Sequence, residues 1–343
     1  MVGVDIGIWS TKIVELRRKG GVYELKKVYM FPTDRSIFAE KERKIQKERC
    51  VHFLKYTVRH CRLRSKKITA SLNNENCIVK YIRMPQAPED QMENLCWEAV
   101  KSDVPFNRQE VNIDCKIVDI DEERKDMGVV IAVAKRDLIE NLMDAFKKAG
   151  ARLAIVDADE LALYNIWEVN YGLENEKNVL IVDIGAELTK MLIIIDARPC
   201  FGKMFYGGGC DVTDAIQKGI GVEEAEAERM KIKLAEDEPV ERKEEVSSVS
   251  REKVEGLFRE MKSSVDSFYR EKGGKFPWIE KVFLCGGSSR LPFLKDVVRQ
   301  HFDVPSVEEF NPFGMFVIKK GFSEYIEKRV TSFAIAAGLA LRQ

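Results

Sequence analysis

Val179-Leu180-Ile181-Val182-Asp183-Ile184-Gly185-Ala186-Glu187-Leu188-Thr189-Lys190 runs on into Met191-Leu192-Ile193-Ile194-Ile195-Asp196, and this stretch decides the fold. Two apolar runs, rich in Val and Ile and each about as long as a buried strand, flank a short polar break. The break predicts a tight hairpin. Gly185 adds no Cβ and tolerates positive φ, so backbone N–H groups at the tip can approach an anion. Asp183, at the strand end, is a poor direct phosphate ligand but a good holder of a hydrated Mg²⁺.

The pattern occurs twice. The chain opens Val2-Gly3-Val4-Asp5-Ile6-Gly7-Ile8-Trp9-Ser10-Thr11-Lys12-Ile13-Val14-Glu15-Leu16. Aligned on Asp-Ile-Gly, Asp5 matches Asp183, Gly7 matches Gly185, Thr11 matches Thr189 and Lys12 matches Lys190. One such hairpin is weak evidence, because apolar-Asp-apolar-Gly turns are common. Two, half a chain apart and each between strand-like runs, predict duplicated half-molecules facing one nucleotide-phosphate site.

A chain of 343 residues has room for two domains and a large core. Lys+Arg and Asp+Glu are both 56, which gives no support for a general nucleic-acid binder. The basic run Arg59–Lys67 reads as a solvated helix end and loop. No apolar run reaches the ~20 residues that span a bilayer, and no signal peptide is visible after Met1. The eight cysteines contain no Cys-x-x-Cys and sit in apolar stretches, as in a reduced cytosolic core. Cys50, His52, His60 and Cys61 could in principle hold zinc, but their spacing fits no standard ribbon or finger.

In chain order, residues 2–32 read as a three-strand meander, followed by charged residues at 40–49 and a helix to about 62. Ile68–Leu72 reads as another buried strand. Residues 73–150 change texture: a strand at Cys77–Pro85, a helix from about Pro88 to Val100 carrying Trp97, a Pro105-Phe106 turn, strands at Val111–Val118 and Val129–Ala134, and a helix at Leu138–Ala149 capped by Gly150. This is a compact α+β insert without a cluster of catalytic residue types. Leu153–Ala162 is a strand turning into a helix, with Asp157, Asp159 and Glu160 at the turn. Carboxylates there stabilise a helix N-terminus on their own account; the alternative is that one of them, Asp157 or Glu160, orients a water for catalysis.

Two further glycine elements follow. A strand at Phe201–Tyr206 leads into Gly207-Gly208-Gly209 and a helix from Asp211, an arrangement suited to an anion. A strong helix at Val222–Lys231 precedes a charged loop at 235–250 and a helix from near Arg251 to about Glu271. Ile279–Cys285 then runs into Gly286-Gly287-Ser288-Ser289, where glycines at a strand end let a flat base or ribose lie on the backbone. Thr331–Leu341 is a helix of small residues that could cross between the halves.

Three glycine turns on these strands, in this order, resemble the actin-like ATPase superfamily. The fold class implied is α/β: two lobes of duplicated ribonuclease-H-like domains, with the small insert in the first. Residues 1–72, completed by 151–174 and 325–343, form one lobe; 73–150 is the insert; 175–324 is the second lobe with a helical subdomain at about 210–275. Within the superfamily the sequence looks like the PilM family of bacterial type IV pilus assembly. Trp97-Glu98-Ala99, Asp103-Val104-Pro105-Phe106, Glu110–Asp114, Ala132–Lys135 and Ala227-Glu228-Arg229-Met230-Lys231 carry that resemblance.

The resemblance implies ATP and Mg²⁺ between the lobes. Asp5, Gly7, Ser10, Thr11 and Lys12 would form the first phosphate loop, and Asp183, Gly185, Ala186 and Thr189 the second. Gly207, Gly208 and Gly209 would flank them. Gly286, Gly287, Ser288 and Ser289 would meet the adenosine, with Glu228 and Lys231 near ribose and base; Asp5 and Asp183 would hold Mg²⁺ through water. The family usually has Ser after the first-loop glycine; here it is Ile8, which points to slow turnover at most. The resemblance further implies a cytoplasmic scaffold, peripheral to the inner membrane, that docks the cytoplasmic N-terminal tail of a PilN-type membrane protein on the first lobe and insert, with other pilus machinery proteins and a second copy of the chain as further candidate partners. A sugar or small-molecule kinase would need an aspartate base beside a substrate pocket and insertions near Asp157, which are not seen. A type II secretion component usually carries a membrane helix, and an FtsA-like division protein a long C-terminal tail with one.

Overall fold

The computed structural model describes residues 1–37, 47–63, 66–72, 77–172, 178–271, 278–319 and 321–342. Arg64 and Ser65 of the basic run, and most of the charged 40–49 stretch, lie outside the described residues.

The first sheet opens with β1 (Val2–Ile6), β2 (Ser10–Lys19) and β3 (Val22–Pro32), an antiparallel meander. Helix α1 (Lys47–His60) leads to β4 (Lys67–Leu72), parallel to β1. The insert follows: β5 (Cys77–Pro85), α2 (Met92–Val100), β6 (Val111–Asp121) and β7 (Asp126–Lys135). The chain then returns through α3 (Arg136–Lys148) and β8 (Arg152–Ala158), which lies parallel to β4, to α4 (Asp159–Tyr171).

The second sheet repeats the plan. β9 (Val179–Ile184), β10 (Leu188–Ile195) and β11 (Arg198–Tyr206) form another antiparallel meander. Helices α5 (Gly209–Ile216), α6 (Glu224–Ala235) and α7 (Lys243–Glu271) follow, then β12 (Lys281–Cys285), α8 (Leu294–Phe302) and β13 (Ser306–Glu309). Short elements β14 (Val317–Ile318), α9 (Glu324–Glu327) and α10 (Ala334–Leu341) end the chain. The strand orders are β14-β3-β2-β1-β4-β8 and β11-β10-β9-β12-β13. Apart from the added edge strand β14, both read third, second, first, fourth, fifth in order along the lobe. The duplication seen in the two Asp-Ile-Gly hairpins therefore extends to whole sheets, and the fold is the two-lobed actin-like one.

β9 and β10 are buried along their full length, which explains continuous apolar runs in place of alternation: both faces are covered. One core joins the lobes. Val14 and Leu16 of β2, Ile181 of β9 and Phe283 of β12 pack around α4 and α10. The small residues of α10 permit this. A Cβ on Gly338 would lie 1.9 Å from the Ala162 carbonyl oxygen of α4, and one on Gly3 would lie 2.0 Å from the Ala336 oxygen.

Two expectations need correction. Helix α3 does not belong to the insert. Its buried Leu138, Leu142, Ala145 and Phe146 recur at helical spacing and pack with Leu54 and Val58 of α1 in the first-lobe core. The insert's own core lies between α2 and the sheet β5-β7-β6, so the described part of the module is 77–135. Trp97 and Phe106 pack against that core, with Arg108 over the Trp97 ring at 5.9 Å and the Lys135 ammonium 4.3 Å from the Phe106 centroid. Helix α7 starts at Lys243, inside the stretch expected to be a loop, because Val246 and Ser250 continue the buried stripe of Val254 and Phe258 one turn at a time.

The insert touches both lobes. Val79 and Val130 pack on Ala158 at the start of α4, and Arg198 of β11 reaches Asp119 of β6 at 2.8 Å.

Candidate functional site

The two hairpins face one cavity of 250 Å³ between the lobes. In the first, register pairs Asp5 with Lys12 and Ile6 with Thr11; in the second, Asp183 with Lys190 and Ile184 with Thr189. In both, register sets an aspartate beside a lysine just inside the turn. The Lys12 ammonium donates to Asp5 at 3.1 Å. Lys190 sits 2.8 Å from Asp159 and 3.6 Å from Asp183. Asp159 is the first residue of α4 and only 1% exposed. Three carboxylates and two ammonium groups, drawn from both sheets and the connecting helix, thus meet at the base of the cleft.

Burial sets their electrostatics. Desolvation pushes the Asp5 carboxyl above its ordinary value, against the pull of Lys12, and the charge of Asp159 adds to the rise. Burial would lower Lys190, but Asp159 and then Asp183 overcome it and hold the ammonium above its usual range.

Asp5, Gly7, Ser10 and Lys12 line the cavity from the first lobe; Asp183, Gly185, Ala186, Gly209, Glu228, Lys231, Gly286, Gly287 and Ser288 line it from the second. The hairpin glycines are required by space. A Cβ on Gly7 would lie 2.9 Å from the Ser10 carbonyl oxygen, and one on Gly185 2.7 Å from that of Leu188.

Other expected site residues serve the scaffold. The Thr11 hydroxyl shares a hydrogen bond with Thr33 at 2.8 Å, and Thr189 donates to the Gly207 carbonyl at 2.8 Å. Ser289 donates to the Gly286 carbonyl and sits 3.0 Å from the Thr331 hydroxyl. At Gly207-Gly208-Gly209, the arrangement expected to suit an anion, the glycine N–H groups are already hydrogen-bonded. The N–H groups of Gly207, Gly209 and Cys210 donate to the carbonyls of Glu187, Gly185 and Ala186, and that of Gly208 donates to the Asp211 carboxylate. The glycines press against the second hairpin and brace it: a Cβ on Gly208 would lie 2.5 Å from the Gly185 oxygen.

Lys231 donates to the Gly209 carbonyl, the Thr213 hydroxyl and Glu228, at 2.8, 2.8 and 2.6 Å. It fastens α6 to α5 beside the cavity.

None of Asp157, Asp159 and Glu160 is among the residues lining the cleft; Asp159 lies behind the lining Lys190. Asp157 accepts from the Ala158 N–H and pairs with Arg342 at 3.1 Å. Glu160 packs over Gly202 of β11, where burial and the charge of Asp159 push its carboxyl up to about 7. Strand-to-helix geometry explains the exchange of roles: of the three acids at this turn, it is Asp159 that reaches Lys190.

The cavity has further walls that sequence reading did not select. Trp9 is 38% exposed at the first loop's tip, with Arg35 over its ring at 5.4 Å, and Arg35 reaches across to Glu224 at the start of α6. Arg290, Tyr325, Lys328 and Arg329 close the other end, where Arg329 pairs with Glu236 just past α6. Arg290 directly follows the Gly-Gly-Ser-Ser turn, and Lys328-Arg329 is a dibasic pair before the small-residue helix; those were the available signals. The zinc candidates lie elsewhere: burial raises the Cys50 and Cys61 thiols to about 12 and about 11 within the first-lobe core, and His60 stacks on Tyr56.

The family described as type IV pilus assembly protein PilM matches residues 3–343. Among solved structures, a chain of the "PilM-PilN type IV pilus biogenesis complex" superposes with a TM-score of 0.84 at 24% identity, covering 99% of this chain and 97% of that one. The ethanolamine utilization protein EutJ from Carboxydothermus hydrogenoformans superposes with a TM-score of 0.56 at 12% identity, over 99% of this chain and 88% of that one. At these identities the likeness to the solved structures establishes the shared fold.

Proposed function

This chain belongs to the PilM family of type IV pilus assembly proteins, and on that premise we propose that it is an ATP-binding scaffold that docks the cytoplasmic tail of a PilN-type membrane protein. The observation that carries the nucleotide reading is the pair of hairpins, each with Asp and Lys in the same register, facing one cavity.

The residues fit ATP with Mg²⁺. Gly7–Ser10 and Gly185–Glu187 line the cavity at turns too tight for a Cβ on Gly7 or Gly185. Lys12, held by Asp5, is poised to donate to a phosphate oxygen. Asp5 and Asp183 are buried carboxylates suited to the water shell of the ion, which when bound offsets phosphate charge. Gly287 has open space where a side chain would stand, so a flat base can lie on the backbone there, with Glu228 and Arg290 nearby. Turnover is slow in this reading. Ile8 removes a hydroxyl from the first loop, Asp157 and Glu160 lie outside the cleft, and Asp159 is held by Lys190.

The insert supports the partner reading. It contacts both lobes, so a change in lobe angle on nucleotide binding would shift the surfaces where it meets them. The solved relative is described as a PilM-PilN complex, and a PilN-type partner is proposed here. No helix among the described residues is long and apolar enough to cross a membrane; a PilN-type partner would hold the chain at the cytoplasmic face of the inner membrane. The test titrates a fluorescent PilN-tail peptide against the full chain, with and without ATP·Mg²⁺, and against a folded variant lacking 77–135. Tighter binding with nucleotide and loss of binding without the insert are expected. Equal affinity for both proteins would place the partner elsewhere.

A further inference from the structure

Among the described residues β6 is a free edge of the insert sheet, whose order is β5-β7-β6. It is 11 residues long, and Ile117, Val118 and Ile120 are 40%, 37% and 54% exposed. A long edge strand with exposed apolar side chains offers unpaired N–H and C=O groups to another strand, and proteins generally blunt such edges. Here the far end is blunted and the near end is not. A bulge interrupts the register between Ile117 and Asp119, and beyond it Asp119 is tied to Arg83 and Arg198.

The open segment, Asn112-Ile113-Asp114-Cys115-Lys116-Ile117-Val118, is complementary to itself. Two copies related by a two-fold axis perpendicular to the sheet would pair β6 antiparallel. Residues directly opposite one another then share a face, so the axis must pass beside a residue and not between two. Centring on Asp114 or Lys116 sets like charges opposite each other. Centring on Cys115 sets Asp114 opposite Lys116 of the second copy, and the reverse. It also sets Ile113 opposite Ile117 and Asn112 opposite Val118. That register uses residues 112–118 of both strands and ends at Val118, the extra residue of the bulge. Asp114 and Lys116 are both exposed, so their heads are free to meet.

We infer that this chain self-associates through β6, two inserts joining edge to edge into one six-stranded antiparallel sheet centred on Cys115. The occupant is a second copy because the charge pattern matches itself. A foreign strand would have no need of Asp and Lys at positions symmetric about one residue.

Sedimentation velocity of the full chain over a range of concentrations tests this with two single substitutions. Wild type should show a concentration-dependent monomer–dimer equilibrium. Lys116→Glu sets acid against Asp114, and Asp114→Lys sets base against Lys116. Each should weaken self-association at least tenfold. Mixed in equal amounts the two variants should dimerise again, because each strand then carries one sign and opposes the other; a folding defect could not produce that rescue. A wild type that stays monomeric at every concentration reached, single variants that dimerise like wild type, or a mixture that stays monomeric would each overturn the proposal.

Discussion

The ammonium of Lys190 lies 2.8 Å from the carboxylate of Asp159, joining the second hairpin to the first turn of the helix that connects the lobes. Lys190 is 8% exposed and Asp159 1%, so neither charge has water to fall back on. The pair ties the floor of the cleft to the lobe connection.

Lys190→Met should therefore be costly. It strands the Asp159 carboxylate in the interior, and breaking a buried pair from one side costs roughly 3 kcal/mol or more. Urea unfolding should show a lower midpoint with an unchanged slope. Adding Asp159→Leu should recover much of the loss, since both charges are then gone. A double variant no more stable than Lys190→Met would show that the pair is not the source.

Asp5→Ala and Asp183→Ala should each weaken ATP·Mg²⁺ binding about tenfold, or ~1.4 kcal/mol, by removing a carboxylate that orders the ion's water. Calorimetry on folded variants measures it. Unchanged affinity in both would end the assignment of this cleft to the nucleotide.

Glu160 gives a pH signature. Its carboxyl is raised from 4.5 to about 7, mainly by burial. The folded state then binds the proton more tightly than the unfolded chain. The stability this contributes is fully present below the unfolded value and is lost as pH rises through about 7. Glu160→Gln stays neutral throughout, so it should be the more stable protein at pH ~8, by roughly 1–3 kcal/mol, and differ little at pH ~4. Thermal melts of both proteins across that range decide the point; parallel curves would show that Glu160 keeps an ordinary pKa.

Gly338→Ala tests the lobe connection. Helix propensity alone favours Ala by about 1 kcal/mol. The new methyl, however, would meet the Ala162 carbonyl oxygen at 1.9 Å, and that atom is backbone of α4 that cannot swing aside. Overpacking of this kind costs roughly 1–3 kcal/mol, and the backbone contact puts this site at the upper end. A variant as stable as wild type in denaturant would mean that α10 can shift away from α4.

The sequence by itself determined the two lobes and the twin hairpins. Apolar runs, a glycine at each tip and the Asp-to-Lys spacing are local patterns, and local patterns carry strand, turn and register information along a single segment. The tertiary structure decided which groups face the cleft. Asp157, Asp159 and Glu160 are nearly equivalent by sequence, yet one meets Lys190, one meets Arg342, and one packs over Gly202. The same holds for Gly207 and Gly209, whose N–H groups are taken by hairpin carbonyls about 20 residues earlier in the chain. It holds too for α3, whose apolar stripe was legible while the surface it covers was not. A side chain's period states only that it is buried or exposed. Its partner comes from a remote segment, and distance along the chain carries no record of which segment the fold will bring beside it.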